Sequence, residues 1–201
     1  SGDGCTYGEG GNHFIHTIRR NPDITNIVHD NRIYGLTKGQ ASPTTDQDMV
    51  TPIQVNGVEL EPFNPVAVAV ASDASFVARA FSGDKDKTKE IIKAAIEHEG
   101  YALVDLMHPC VSFNKKHTYQ WFNEHTYYLG DDYDPRDQEQ AFQKSQEKEK
   151  LSLGIIYKSE EKEPFEDTMP AHAESEEYTP LYQKEQKLDV VKDIIEQKRA
   201  E

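Results

Sequence analysis

Gly2-Asp3-Gly4-Cys5-Thr6-Tyr7-Gly8-Glu9-Gly10-Gly11-Asn12-His13, followed by Ile24-Thr25-Asn26-Ile27-Val28-His29-Asp30-Asn31, is the stretch whose reading decides the fold. Glycines crowd the approach to a helical pattern that runs through Arg20, and a β-branched run, Ile24 to Val28, comes next and reads as a strand. Glycine lets the backbone approach an anion closely, and the free amides of a helix N-terminus aim partial positive charge at it, so the segment suits phosphate. Asp3 alone would repel a diphosphate. A hard cation such as magnesium, bridging the Asp3 carboxylate and the phosphate oxygens, removes that conflict. The cation needs more oxygen ligands, and Asn31 follows the predicted strand, whose end would bring its amide oxygen beside Asp3. The backbone carbonyl of Ile33 completes the candidate set.

Outward from this stretch, short β-branched runs alternate with helical patterns as far as Gly130, the order that builds a parallel sheet with helices on both faces. Val66 to Val70 and Tyr101 to Leu106 read as further strands. Phe76, Val77, Ala80 and Phe81 predict one helix, and Ile91, Ile92, Ala95 and Ile96 predict another. Beyond Gly130, Asp134 to Lys150 reads as polar helix and Leu153 to Tyr157 as a short strand. Lys158 to Glu177 reads as solvated loop, and Tyr178 to Ala200 as a charged amphipathic helix. The charge shifts at the same boundary, because residues 131–201 carry 20 acidic and 11 basic side chains against 16 and 11 before them. We therefore expect an α/β domain over residues 1–130, and an acidic extension over 131–201 that packs on the same domain or on a partner subunit.

A chain of 201 residues with 36% apolar side chains has room for one ordinary core. The net charge of −14, with no cluster of Lys and Arg, excludes a nucleic-acid surface. No apolar run is long enough to cross a bilayer and no signal peptide is recognisable, so a cytoplasmic protein is expected. Cys5 and Cys110 are far apart and form neither a disulfide framework nor a local zinc pattern, which fits a reducing compartment.

Gly-Asp-Gly, then 25 residues, then Asp30-Asn31 resembles the signature of thiamine diphosphate enzymes, in which the aspartate and the final asparagine hold magnesium. Asp30 is a departure, since the family more usually has two asparagines there. Gly10-Gly11-Asn12-His13 and Ile33-Tyr34-Gly35-Leu36-Thr37-Lys38-Gly39-Gln40 are more specific. They look like the β subunit of 2-oxoacid:ferredoxin oxidoreductases. Pro109-Cys110-Val111-Ser112-Phe113-Asn114 and Leu153-Gly154-Ile155-Ile156-Tyr157 resemble later segments of that family, so the likeness covers roughly residues 1–157.

The resemblance implies the thiamine diphosphate-binding fold of the pyrophosphate-binding type. It also implies oxidative decarboxylation of a 2-oxoacid, 2-oxoglutarate or pyruvate, with coenzyme A and ferredoxin, to acyl-CoA, carbon dioxide and reduced ferredoxin. A partner α subunit supplies the other half of the cofactor pocket. Carried onto this chain, Gly2, Asp3, Gly4, Gly11, Asn12 and His13 contact the cofactor, as do Asn31, Gly35, Leu36 and Thr37. Magnesium is held by Asp3, Asn31 and the Ile33 carbonyl. Lys38 is a candidate on the substrate side, because a cation in the loop after the metal ligand can reach a carboxylate. Cys110 corresponds to a ligand of a four-iron cluster, whose remaining thiolates cannot come from this chain, since it has only Cys5 besides. The start at Ser1, directly on the motif, leads us to expect that an N-terminal part is missing. The alternatives are a non-redox thiamine diphosphate-dependent 2-oxoacid decarboxylase and a non-catalytic fragment. His13 and His16 lack a further ligand, His108, His117 and His125 are expected to be structural or surface residues, and the stripe Trp121, Phe122, Tyr127 and Tyr128 is expected to be core or subunit contact.

Overall fold

A computed structural model describes residues 1–159, 161–169 and 188–200. Its first compact unit, Ser1–Phe165, is built on a five-stranded sheet. The chain runs from a π-helical segment, Gly4–Glu9, into α1 (Gly11–Arg20) and then β1 (Thr25–Asp30). A long loop leads to α2 (Pro65–Ala71), β2 (Phe76–Phe81), α3 (Lys85–Ile96) and β3 (Ala102–Met107). Then come α4 (Tyr119–His125), β4 (Thr126–Tyr128), α5 (Gln138–Ser145) and β5 (Leu151–Lys158).

The strands lie in the order β1-β3-β2-β5-β4, with β3 parallel to β1 and β2, β5 antiparallel to β2, and β4 parallel to β5. The sheet is thus mostly parallel, and its two faces separate by the alternation of side chains. Phe76, Ala78, Ala102 and Val104 meet Ile91 and Ala95 of α3. Val28, Val77 and Leu103 meet Phe14 and Ile18 of α1, Val66 and Val70 of α2, and Ala141 of α5. Helices therefore cover both faces.

Two expected elements exchange type. Val66 to Val70 is helix, because Pro65 stands in the first turn and the Asn64 side chain caps it, accepting a hydrogen bond from the Ala67 amide at 3.0 Å. These end signals outweigh the β preference of alternating valines. Phe76 to Phe81 is strand rather than helix. It lies between β3 and β5 with all six residues buried, and a strand buried on both faces shows a continuous apolar run that periodicity cannot separate from helix.

The shift of composition at Gly130 does not coincide with a structural boundary. β5 lies beyond it and pairs with β2 inside the sheet, and the compact unit ends at Phe165. The second unit, Glu166–Glu201, contains α6 (Leu188–Ala200), whose Val190, Val191, Ile194 and Ile195 are exposed. The parts of the expected loop and helix at 170–187 lie outside the described residues.

Candidate functional site

The site forms where β1 ends. Gly2 bridges His29 in parallel, and the His29 amide donates to the Ser1 carbonyl at 2.8 Å, so Asp3 and Asp30 come alongside one another. The Thr44 hydroxyl joins them, 2.8 Å from Asp3 Oδ2 and 2.7 Å from Asp30 Oδ1. Both carboxyls are buried, and so is Asp105 in the neighbouring strand β3. Burial raises the Asp3 carboxyl, with the Ser42 and Thr44 hydroxyls opposing. Asp30 is pushed up to about 8 by burial first and then by the Asp105 charge, which Arg32 offsets in part before Asp3 adds to it. Asp105 is raised by burial against the pull of Arg79 and Tyr7. A buried carboxyl raised further by two neighbouring carboxylates marks a place short of positive charge.

Asn31 and Ile33 lie on the turn that follows. The Ile33 amide donates to Asn31 Oδ1 at 3.0 Å, which leaves that oxygen a second lone pair. The Ile33 carbonyl accepts no hydrogen bond from any described residue. Asp3, Asn31 and this carbonyl offer only hard oxygens beside surplus buried negative charge, and such a donor set fits magnesium. What the structure hydrogen-bonds to Asp3 is nevertheless Asp30, through Thr44, and not Asn31. Sequence reasoning treats Asp30 as a loop departure and does not reach Thr44, which carries no motif and lies 41 residues along the chain from Asp3.

The glycine-rich stretch divides in two. Gly4 is pressed under Tyr34, where a Cβ would collide with the ring, whereas Gly2, Gly11 and Gly35 have open space where a Cβ would stand. Open glycines leave room for an anion to approach the backbone closely. Asn12 and His13 are exposed on the first turn of α1. Gly35, Leu36, Thr37 and Lys38 form a tight loop closed by Lys38 N–H to the Gly35 carbonyl and Gly39 N–H to the Tyr34 carbonyl. Leu36 is 98% exposed, and Lys38 is exposed too, with a left-handed φ of 64°. Cys110 is half-buried after β3, and Cys5 is exposed. Among the described residues no group of three or more His, Cys, Asp and Glu side chains is placed to hold a metal ion.

Behind the turn lies a partly buried network that the sequence did not disclose. Asp46 accepts from Arg32 at 2.9 Å, Lys116 at 2.6 Å and His117 Nε2 at 2.9 Å. Burial alone would raise its carboxyl, but the His117 hydrogen bond, the Arg32 charge and the Lys116 bond together hold it well below the usual carboxylate range. A carboxyl lowered on folding stabilises the fold above its unfolded pKa, near 4, and that contribution is lost as pH falls through the folded value. Asp46→Asn is therefore expected to cost about 1.5–3 kcal/mol at pH 7. Thermal melting from pH 7 down to 3 should fall less steeply for the variant than for the parent, and equal slopes would remove Asp46 from the acid response.

Comparison with known proteins agrees with this fold. Residues 1–106 match the family model described as thiamine pyrophosphate enzyme, C-terminal TPP binding domain, and residues 110–174 match the model for the C-terminal part of the pyruvate ferredoxin oxidoreductase beta subunit. The fold and site thus define a thiamine diphosphate-binding domain. The 2-oxoacid:ferredoxin oxidoreductase subunit beta of Sulfolobus sp is 36% identical over 98% of this chain and 70% of its own length. Subunit beta of 2-oxoacid:ferredoxin oxidoreductase 1 from Aeropyrum pernix is 39% identical over 84% of this chain and 57% of its own. A solved 2-oxoglutarate:ferredoxin oxidoreductase from Magnetococcus marinus, with 2-oxoglutarate, coenzyme A and succinyl-CoA bound, superposes with a TM-score of 0.78. It is 35% identical, over 81% of this chain and 56% of that one. The chain belongs to the family of β subunits of 2-oxoacid:ferredoxin oxidoreductases, and it spans 57–70% of the length of the two curated relatives.

Proposed function

We propose that this chain is the diphosphate- and magnesium-holding part of a 2-oxoacid:ferredoxin oxidoreductase, acting with a partner α subunit in the cytoplasm. Its reaction is the oxidative decarboxylation of a 2-oxoacid with coenzyme A and ferredoxin. The observation that carries this reading is the buried Asp3, set at the end of β1 beside surplus carboxyl charge, with the Asn31 amide oxygen and the spare Ile33 carbonyl on the adjoining turn. Placement in the cytoplasm is supported by two free cysteines and by the lack, among the described residues, of any helix long and apolar enough to cross a membrane.

When bound, thiamine diphosphate supplies the electron sink that makes loss of carbon dioxide from a 2-oxoacid feasible. The residues of this chain bind and orient. Asp3, Asn31 and Ile33 would hold the magnesium, Gly2 and Gly11 leave the backbone open toward the diphosphate, Gly4 makes room for the Tyr34 ring beside them, and Asn12 and His13 border it. Gly35, Leu36 and Thr37 form the loop against the cofactor. Lys38, with an exposed cationic head at the loop tip, neutralises the substrate carboxylate. Cys110 gives one thiolate to an iron-sulfur cluster, whose other thiolates come from outside these 201 residues. The Magnetococcus relative, named for 2-oxoglutarate, favours that substrate class over pyruvate.

The test is reduction of methyl viologen by the complex with its α partner, given a 2-oxoacid, coenzyme A, thiamine diphosphate and magnesium. Viologen reduction that needs all four is expected. Carbon dioxide released without reduction would replace this reading with a non-redox decarboxylase, and a complex that binds no thiamine diphosphate would replace it with a non-catalytic one.

A further inference from the structure

One side chain grips the Asn31 turn from outside the ligand set. Asn114 is buried, and all four hydrogen-bonding positions of its amide are taken. Its Oδ1 accepts from the amides of Lys116 at 3.2 Å and His117 at 3.0 Å. Its Nδ2 donates to the Asn31 carbonyl at 3.0 Å and to His117 Nδ1 at 2.9 Å. Because Nδ1 of His117 accepts, its ring proton sits on Nε2, which donates to Asp46. Asp46 also accepts from Arg32, the residue after Asn31, which is held at a left-handed φ of 58°. A non-glycine residue stays in that region only where its surroundings over-determine it. The main-chain amide of Asn114 meanwhile donates to the Cys110 carbonyl at 3.0 Å. A single residue thus joins the turn that begins at Cys110 to the main chain of Asn31.

We propose that Asn114 is a positioning residue: through its donated hydrogen bond it holds the Asn31–Ile33 turn, which carries two oxygen ligands of the metal, against the turn that begins at Cys110. The inference rests on the ligand assignment made under Proposed function. Its physical basis is that groups orienting metal ligands from behind matter nearly as much as the ligands themselves. The hydrogen bond to the Asn31 carbonyl fixes the peptide between Asn31 and Arg32, and the Asp46 pair fixes the Arg32 side chain. Little freedom is then left to the turn between Asn31 and Ile33.

Two variants separate this role from that of shaping a turn. Asn114→Asp keeps an oxygen for the Lys116 and His117 amides but has no hydrogen to give the Asn31 carbonyl, whereas Asn114→Ala loses every bond. Both are prepared in the complex with the α partner, with Mn2+ in place of magnesium and its binding followed by paramagnetic resonance in the presence of thiamine diphosphate. Each variant is expected to weaken Mn2+ binding by about 10–100-fold, with KM for the 2-oxoacid within about twofold of the parent.

A second readout precedes any cofactor. Trp121, the sole tryptophan of the chain, stands edge-on to His117 at 4.5 Å with Arg32 over its ring at 5.3 Å, so its emission should shift in both cofactor-free variants. Parental Mn2+ affinity in Asn114→Asp overturns the inference, and this variant decides the matter if Asn114→Ala fails to assemble. Asn31→Ala serves as the control. If it too binds Mn2+ normally, the ligand assignment itself is wrong and the inference falls with it; if it loses Mn2+ while Asn114→Asp does not, only the positioning role fails.

Discussion

Replacing Asp3 with alanine is expected to weaken binding of magnesium and thiamine diphosphate together by more than about 100-fold, beyond the loss typical of a residue that merely orients a ligand. The carboxylate is the only candidate ligand with a formal charge, since Asn31 and the Ile33 carbonyl contribute dipoles. Calorimetric titration of the assembled complex measures the loss. The fold should survive it. Asp3 is desolvated and linked through Thr44 to Asp30, so removing its charge relieves repulsion in the empty protein, and the melting temperature without cofactor should not fall. Normal magnesium-dependent binding by Asp3→Ala would refute the site assignment.

The second large effect concerns stability. Arg79 is 4% exposed in β2, and its Nε lies 3.3 Å from Oδ2 of Asp105 in register on β3, while the Tyr7 hydroxyl donates to Oδ1 at 3.0 Å. Among the described residues Arg79 is the only cation bonded to this fully buried carboxylate, so Arg79→Met is expected to cost about 3–5 kcal/mol in urea denaturation at pH 7. The sign of the pH response follows from burial, which raises the Asp105 carboxyl and would raise it further without Arg79. A group raised on folding binds more protons in the native state, so the variant should lose stability as pH climbs and recover some on acidification. Removing the carboxylate as well, in Arg79→Met with Asp105→Leu, should restore part of the loss. It still leaves the Tyr7 hydroxyl without its partner, at about 1–3 kcal/mol. A single variant that costs less than about 1 kcal/mol would show that the pair is not essential to the core.

These two residues also mark what was readable in advance. Asp3 stands out as the proposed ligand because a metal grip requires given residue types at a given spacing, and the strand between Ile24 and Val28 sets the reach from Gly2 to Asn31. Arg79 was not readable, since it lies within a stretch whose apolar spacing predicted helix. The partners of Asp3 and Asn31 were hidden for a related reason. Thr44 and Asn114 lie 41 and 83 residues from the groups they touch; Thr44 belongs to no local pattern, and the Pro109 to Asn114 segment does not by itself say that Asn114 reaches Asn31.

By itself, then, the sequence determined the class of fold, the strands at β1, β3 and β5, the helices α1 and α3, and the cofactor motif, all of which rest on local spacing and end signals. Tertiary structure alone decided that Val66 to Val70 coils and Phe76 to Phe81 extends, that β5 runs against β2, and that Thr44, Asp46, Asn114 and His117 stand behind the site. The physical reason is that burial and hydrogen bonding act between neighbours in space. A segment buried on both faces loses the periodicity that would name it, and a polar group becomes part of a site only when the fold brings it a partner.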